Sequence, residues 1–256
     1  MRKHNITYLL CLTVIVAVSG TTITAFRAHN QADKKPPHKS EKMIEQENRF
    51  PVTEFSATEP SDPKEQKRKE AKARRYAKTE LSIDPFSDLV TAPGQWGGLS
   101  AIPVNQSAVI ITGTISNAKT ELTPERKKVY SDFTIIIDEV LKNDDSTSLV
   151  PGSTISADRA GGRVRFESGK IALYQVTGQG MPQVSGRYLL FLTSTDQESD
   201  YGILTGYELR DGRINLLDNP GDGHPITTSE GSDESSFLEQ VRSAIANRRD
   251  PVRKKK

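Results

Sequence analysis

The run from Val129 to Leu141 (VYSDFTIIIDEVL) limits the possible folds of this chain more than any other stretch. Its apolar side chains recur with a period of two, as expected for a strand with one buried face. That face carries Val129, Phe133, Ile135, Ile137 and Leu141. At ~3.3 Å per residue the strand would run about 43 Å, long enough to curl through two halves of a barrel. The run therefore predicts a mainly β domain built around one long strand.

Shorter β segments and one helix surround this run. Glycine- and proline-containing turns separate the segments, and Gly113 marks a bulge or a close backbone approach. The predicted strands are 108–115, 154–157, 163–167, 171–176, 187–193, 203–209 and 213–217. A C-terminal helix is predicted to begin at Ser236, where a capping box reaches Glu239. Its buried face would carry Phe237, Leu238, Val241 and Ile245.

Four short motifs in the β region resemble a known family. They are VIITGTI at 109–115, DEVLKND at 138–144, STISA at 153–157 after a Pro-Gly turn, and GRYLLFL at 186–192. Their order resembles the netrin-like, tissue-inhibitor-of-metalloproteinase-like version of the OB-fold, and also uncharacterised bacterial exported proteins. The resemblance covers about residues 107–217. It implies an OB-like barrel of five to seven strands, with residues 163–176 as an inserted hairpin.

The chain departs from that family in its cysteines. Netrin-like domains use cysteines for disulfides, and the metalloproteinase inhibitors use an N-terminal cysteine to reach the zinc of their target. Here the single cysteine, Cys11, precedes the β region altogether. The resemblance therefore implies a fold and no inhibitory activity.

The N-terminal segment from Tyr8 to Phe26 contains no charged residue, and Arg2 and Lys3 precede it. As a helix it would rise roughly 28 Å, close to the thickness of a bilayer core. It is interpreted either as an uncleaved signal-anchor or as a signal peptide cleaved after Ser19 or Ala25. The first interpretation predicts a single-pass inner-membrane protein with an extracytoplasmic domain. The second predicts a periplasmic or secreted protein.

Charge is divided unevenly along the chain. Residues 81–241 contain 12 Lys and Arg against 22 Asp and Glu, whereas residues 27–80 contain 14 against 10. Residues 29–63 are polar enough to predict disorder, and residues 64–80 predict a solvated helix with eight basic and two acidic residues up to Lys78. This helix is either a charged spacer or a contact for anionic lipid headgroups or another polyanion. The predicted domains are a signal segment (1–26), a disordered or helical linker (27–80), a β-barrel domain (81–247) and a basic tail (248–256).

A few side chains are candidates for binding. Three acidic residues alternate as weak candidates for calcium ligands, with solvated turns as the alternative: Asp196, Glu198 and Asp200. Four others are candidates for ligand contact: Arg159, Arg163, Arg165 and Trp96. The alternatives are that the arginines keep a strand edge soluble and that the tryptophan is a structural anchor. No cofactor and no metal site beyond the weak calcium candidates are predicted.

The sequence favours binding over catalysis. His224 is the single histidine after residue 38, and the sequence contains no HExxH, CxxC, GxGxxG or P-loop motif. The leading hypothesis is a non-enzymatic, membrane-tethered extracytoplasmic module that binds a partner protein or an envelope component. The alternatives are an exported carboxylate-dependent hydrolase and an OB-type nucleic-acid binder. Nucleic acid is the less favoured partner because the β region is acidic and poor in aromatic residues.

Overall fold

A computed structural model describes residues 50–195 and 200–248. The segment from Tyr8 to Phe26, the acidic residues Asp196 and Glu198, and the tail 249–256 lie outside the described residues.

The elements in chain order are β1 (Val52–Glu54), α1 (Pro63–Tyr76), β2 (Leu89–Ala92), β3 (Val109–Leu122), β4 (Val129–Asn143), β5 (Thr154–Ala160), β6 (Gly162–Arg165), β7 (Ile171–Val176), β8 (Arg187–Ser194), β9 (Asp200–Arg210), β10 (Arg213–Leu216), a 3₁₀ helix (Pro225–Ser229) and α2 (Glu234–Ala246). The prediction of a mainly β fold with a C-terminal helix is confirmed. Neither α1 nor α2 has the length and apolar character needed to cross a bilayer.

The larger sheet closes on itself through strand pairing. Its order is β10-β9-β5-β4-β3-β8, and β9 also pairs with β8. Five strands (β3, β4, β5, β9 and β8) therefore form a closed ring in which every strand has two neighbours. The β5–β9 contact is parallel, and the other four ring contacts are antiparallel.

The long strand predicted from Val129 is β4, which runs to Asn143. Its pairing with β3 contains three register shifts, which bend both strands around the ring. One shift lies at Gly113, where an added Cβ would stand 2.7 Å from the carbonyl oxygen of Ile136. The predicted close backbone approach at this glycine is thus present.

The smaller sheet is built on the inserted hairpin. Strands β6 and β7 are antiparallel as predicted, and the sheet order is β1-β6-β7-β2. Both outer strands come from the N-terminal part of the chain and run parallel to their partners. The prediction of disorder for residues 29–63 is thus wrong at β1. This three-residue strand is ordered because it pairs with the edge that β6 would otherwise leave open, and not because of its own sequence.

Two apolar clusters fill the ring and the space beneath α2. The interior cluster includes Phe133, Ile135 and Ile137 of β4, and also Phe50 from outside the ring. The second cluster joins α2 to the outer side of the ring and includes Phe237, Leu238 and Val241. Val129 and Leu141 leave the interior face predicted for them, because the strand is bent. Val129 lies in a third apolar cluster with residues of β6 and β7, and Leu141 packs against the second cluster.

The helix α2 starts two residues before the predicted position. Asp233 is its N-cap and accepts a hydrogen bond from the backbone N–H of Ser236 at 2.9 Å. An aspartate is a strong N-cap, and here it precedes the predicted serine cap. The predicted apolar face is nevertheless the buried one.

The helix α1 is shorter and less exposed than predicted. It begins at Pro63, capped by Asp62, and ends at Tyr76. Four of its residues are buried: Lys69, Lys72, Ala73 and Tyr76. The prediction of a solvated helix is therefore wrong for this face, because the face packs against the ring through charged side chains.

Candidate functional site

Three aspartates converge on the outer surface of the ring. Asp132 on β4 lies directly opposite Asp158 on β5. Asp200 opens β9, where it pairs in register with Ser156 of β5. The residues that alternate with them, such as Phe133, point into the interior cluster, so the aspartates point outward. Three neighbouring strands therefore present their carboxylates on one patch.

The helix α1 covers this patch with basic side chains. Arg68, Lys72 and Arg75 are spaced at i, i+4 and i+7, which places them on one face of a helix. We call the six charged residues of this contact the ionic cluster: Arg68, Lys72, Arg75, Asp132, Asp158 and Asp200. Its formal charges balance, with three cations and three anions.

Lys72 is the centre of the ionic cluster. Its side chain is 1% exposed. Its Nζ lies 2.9 Å from Asp132 Oδ1, 3.1 Å from Asp158 Oδ2 and 3.0 Å from Asp200 Oδ1. One ammonium group thus lies within ion-pair distance of all three carboxylates.

The two arginines close the ionic cluster on either side of Lys72. Arg68 Nη2 lies 2.9 Å from Asp132 Oδ2, and Arg75 Nη2 lies 3.2 Å from Asp200 Oδ2 and also contacts Asp158. The two arginine side chains are 34% and 26% exposed, so they form a rim around a buried lysine. Ser156 donates from Oγ to Asp132 Oδ1 at 2.6 Å and fixes that carboxylate.

Two tyrosines add an aromatic contact beside the charges. The ring of Tyr76 stacks on Tyr130 of β4, with centroids 5.1 Å apart and planes 8° from parallel. The Tyr76 hydroxyl donates to Asp158. Burial, and then the Asp158 charge, raise the pKa of Tyr76 well above its ordinary value. Tyr76 therefore stays a neutral hydrogen-bond donor to Asp158.

Two of the carboxylates have opposed pKa shifts. Burial alone would raise the pKa of Asp132, but Lys72, Arg68 and the Ser156 hydroxyl outweigh it and lower that pKa. Burial raises the pKa of Asp158, and the pull of Lys72 and Arg75 does not fully offset it. Two carboxylates in one site thus differ in how readily they take up a proton.

The ionic cluster leaves almost no room for a ligand. The cavity beside it has a volume of ≈ 10 Å³ and is lined by Arg68, Lys72 and Asp132 among others. A space of this size holds about one water molecule. With α1 in place, the ionic cluster acts as a contact between helix and ring rather than as a substrate pocket.

A larger groove of ≈ 520 Å³ lies between the segment 98–106 and the C-terminal end of α2. Asn105, Gln106 and Asn247 contribute amides to its walls. Arg248 also lines it and holds Asp144 through two contacts of 2.6 and 2.8 Å. This groove is polar, with its charged side chain already paired.

Arg159 is buried inside the protein rather than displayed at the surface. It is 3% exposed, and its Nη1 and Nη2 each lie 2.7 Å from an oxygen of Asp218. It also donates to the carbonyl oxygen of Gly180 at 2.6 Å, while Thr205 donates to the same Asp218. The contacts join β5 and β9 to the segment after β10, and they leave Arg159 no surface for a ligand.

Arg163 and Arg165 attach β1 to the hairpin. Arg163 Nε donates to the carbonyl oxygen of Phe50 at 2.8 Å, and Arg165 Nη1 lies 2.8 Å from Glu54 Oε1. Arg165 remains exposed. Because β6 lies between β1 and β7, the two arginines hold a neighbouring strand in place rather than keep a free strand edge soluble.

Trp96 is half-buried against the cluster beneath α2. Its indole N–H donates to the carbonyl oxygen of Thr177 at 2.9 Å. His224 accepts the Ile226 N–H at Nδ1, so its Nε2 donates to the Trp96 carbonyl oxygen at 3.0 Å. The tryptophan thus ties the segment before β3 to two loops, as a structural anchor does.

Of the three calcium candidates, the structure describes Asp200 alone. Its carboxylate belongs to the ionic cluster and is 3% exposed. Among residues 50–195 and 200–248, no three His, Cys, Asp or Glu side chains are grouped to hold a metal ion.

The ionic cluster was missed from the sequence, although two signals for it are present. Arg68, Lys72 and Arg75 share a helical face, and Asp132 and Asp158 occupy polar positions in strands. The acidic β region and the basic segment before it are complementary in charge. Each segment was interpreted by itself, and only the two together predict a contact between the basic helix and the acidic strands.

Comparison with known proteins does not identify the chain. No protein-family model matches it, and no curated protein matches it. We therefore infer the function from the geometry of the ionic cluster and the ring.

Proposed function

We propose that the chain is a non-enzymatic, membrane-tethered extracytoplasmic module that binds a partner protein or an envelope component through an OB-like, netrin-like barrel. The OB-fold is a five-stranded Greek-key barrel. Five strands with cyclic pairing, and an inserted hairpin between the third and the fourth of them, support this fold. The resemblance of the four sequence motifs supports the netrin-like version of it.

The observation that carries the proposal is the ionic cluster. OB-folds bind their ligands on the outer face of their second and third strands. In this chain those strands are β4 and β5, and that face already holds a polypeptide segment, α1, through matched charges. A face shaped to hold one segment by side-chain chemistry supports a role in recognition.

The length of the tether follows from Phe50. Its side chain is 3% exposed within the interior cluster, and the carbonyl oxygen of Pro51 accepts the Arg163 N–H at 3.0 Å. The connection from the N-terminal segment to the folded body is therefore residues 27–49. Even fully extended, these 23 residues span at most ~80 Å.

Photo-crosslinking in cells tests the binding function. A photoreactive amino acid is placed at an exposed site, Phe86 or Val184, which are 91% and 52% exposed. We expect discrete adducts with one partner protein. Arg74, on the outer face of α1, is a third position for the crosslinker. Smeared or absent adducts at all three positions would contradict the proposal. A C-terminal reporter active only in the cytoplasm would contradict the proposed topology.

The opposed pKa shifts of Asp132 and Asp158 favour a second candidate, the carboxylate-dependent hydrolase. Such an enzyme divides the roles of acid and base between two carboxyl groups, and the pKa values of Asp158 and Asp132 are shifted in the directions that this division requires. Against this, the adjoining cavity of ≈ 10 Å³ admits no substrate while α1 is docked. Hydrolytic activity that Asp158→Asn abolishes would establish this alternative.

A further inference from the structure

We propose that the face carrying Asp132, Asp158 and Asp200 is a docking surface for a basic helical segment of a partner protein, and that α1 occupies it in the absence of that partner. The inference rests on the proposed binding function and names the chemistry of the partner. The required pattern is read from α1 itself. It has basic residues at i, i+4 and i+7 and an aromatic residue at i+8, which are Arg68, Lys72, Arg75 and Tyr76 in this chain.

The surface is specific because its carboxylates are fixed in position. Asp132 and Asp158 face each other across paired strands, and Ser156 holds Asp132 by a hydrogen bond of 2.6 Å. A flexible cationic chain would meet one carboxylate at a time. A helix with the spacing of α1 meets all three at once and places an aromatic ring over Tyr130.

The helix α1 is attached at both ends, so it can leave the surface without detaching from the protein. Before it, β1 pairs with β6, and Phe50 is buried. After it, Leu81 is fully buried, and Ser82 forms a bridge with Lys128. Phe55 still bonds to the backbone of Arg165, so the segment 56–80 is a strap between two fixed points.

The contact between strap and ring is suited to exchange. Its buried centre is an ion pair, and the desolvation of buried charges cancels much of their attraction. When the strap lifts, Lys72 and the three carboxylates regain water, so neither side is left with an unpaired buried charge. Of the four buried residues of α1, two are lysines and only Ala73 and Tyr76 are not charged. A partner helix with the same charges and additional contacts can therefore displace the strap.

A binding measurement in trans tests the proposal. The probe is a fluorescent peptide of residues 62–78, and the protein is the full chain. The double variant Lys72→Glu, Arg75→Glu places two anions against the three aspartates and releases the strap. The apparent affinity for the peptide is the intrinsic affinity of the open face multiplied by the fraction of molecules in which that face is open. We therefore expect this variant to bind the peptide about tenfold or more tighter than the unaltered chain.

The matched control changes the same charge on the outer face of the same helix. Lys67 and Arg74 are exposed, and the guanidinium of Arg74 contacts the backbone of its own helix at Glu70. Lys67→Glu, Arg74→Glu is expected to leave peptide affinity at the level of the unaltered chain. Adding Asp132→Asn and Asp200→Asn to the released variant is expected to remove the gain.

A second route avoids any effect of charge reversal on folding. A protease site inserted between the exposed residues Ala57 and Thr58 allows the strap to be cut after the protein has folded. Cutting is expected to raise peptide affinity without changing a charge. No gain after cutting, while hydrogen exchange shows the α1 amides released, would overturn the proposal.

Two other outcomes would also overturn it. Equal binding of a scrambled peptide of the same composition would show general attraction to basic chains rather than to a helical pattern. A dimer of the full chain that blocks the peptide would assign the face to a second copy. Neither outcome bears on the crosslinks that test the proposed binding function, so the two failures are distinguishable.

Discussion

The two helices cover the ring by opposite means. Helix α2 packs Phe237, Leu238 and Val241 onto an apolar cluster, where Phe237 meets the ring of Tyr207 edge-on at 4.9 Å. Helix α1 packs Lys72 onto three carboxylates. Apolar burial stabilises an interface in proportion to area, whereas buried ion pairs contribute less because of their desolvation. We therefore expect α2 to unfold together with the ring, and α1 to separate from the ring more easily.

The largest effect is expected at α2. Phe237→Ala removes a ring that is 2% exposed and should lower the free energy of unfolding by about 3–5 kcal/mol. Urea denaturation measures this loss for the whole protein in one transition. Gln240→Ala, an exposed change on the same helix, is the control and should stay within about 0.5 kcal/mol. An equally small loss at Phe237 would contradict the structural role of α2.

A smaller and more local effect is expected at α1. Lys72→Ala leaves the three carboxylates with only the two rim arginines to offset their mutual repulsion, which should weaken the contact between α1 and the ring. Because the carboxylates then regain water, the global loss should stay near 1–3 kcal/mol, below the usual cost of breaking a buried pair. Hydrogen exchange checks this: protection should fall in α1 and persist in β4. Loss of protection in both elements would show that α1 belongs to the folding unit after all.

The pH dependence of stability should distinguish the two carboxylates. Asp132 has a lowered pKa, so its contribution to stability is present above its ordinary value of 3.8 and is lost as the pH falls through the lowered value. Asp158 has a raised pKa, so its ionised form opposes folding, and that penalty disappears as the pH falls through the raised value. As the pH falls through the raised pKa of Asp158 towards 3.8, the unaltered chain should therefore gain stability relative to Asp158→Asn. Relative to Asp132→Asn, it should lose stability below pH 3.8. Urea midpoints measured from pH 7 to pH 3 check both signs.

The smallest effect is expected at the rim of the ionic cluster. Arg68 is 34% exposed, so Arg68→Ala should cost about 0.5–1 kcal/mol and less at high salt. Arg74→Ala, on the outer face of the same helix, should cost less than this. An Arg68 effect that persists at 1 M salt would contradict a solvent-screened rim.

Helix α2 and most of the ring strands were predictable because their signals are local, although β3 runs to Leu122 and so extends beyond the predicted range 108–115. The two-residue period of β4, the turn residues of the β6–β7 hairpin and the apolar face of α2 all lie within short windows of sequence. The edge strand β1 was not predictable, because its order comes from a neighbour 111 residues away, as in the pairing of Val52 with Arg163. The ionic cluster depends on contacts of the same kind, since Lys72 meets Asp200 only after β9 has joined β5. Arg159 shows the reverse error: a basic residue in a turn-rich region suggested a surface, whereas its partner Asp218 lies after β10.

The burial of Phe50 has a mechanical consequence. A force applied to the chain on its N-terminal side reaches β1 before it reaches α1. The hydrogen bonds between β1 and β6 and the burial of Phe50 in the interior cluster resist this force. The strap follows these contacts in the chain, so the force does not reach it while they hold. Pulling on the chain before β1 and lifting the strap from the three aspartates are thus expected to be independent events until the pairing of β1 with β6 breaks.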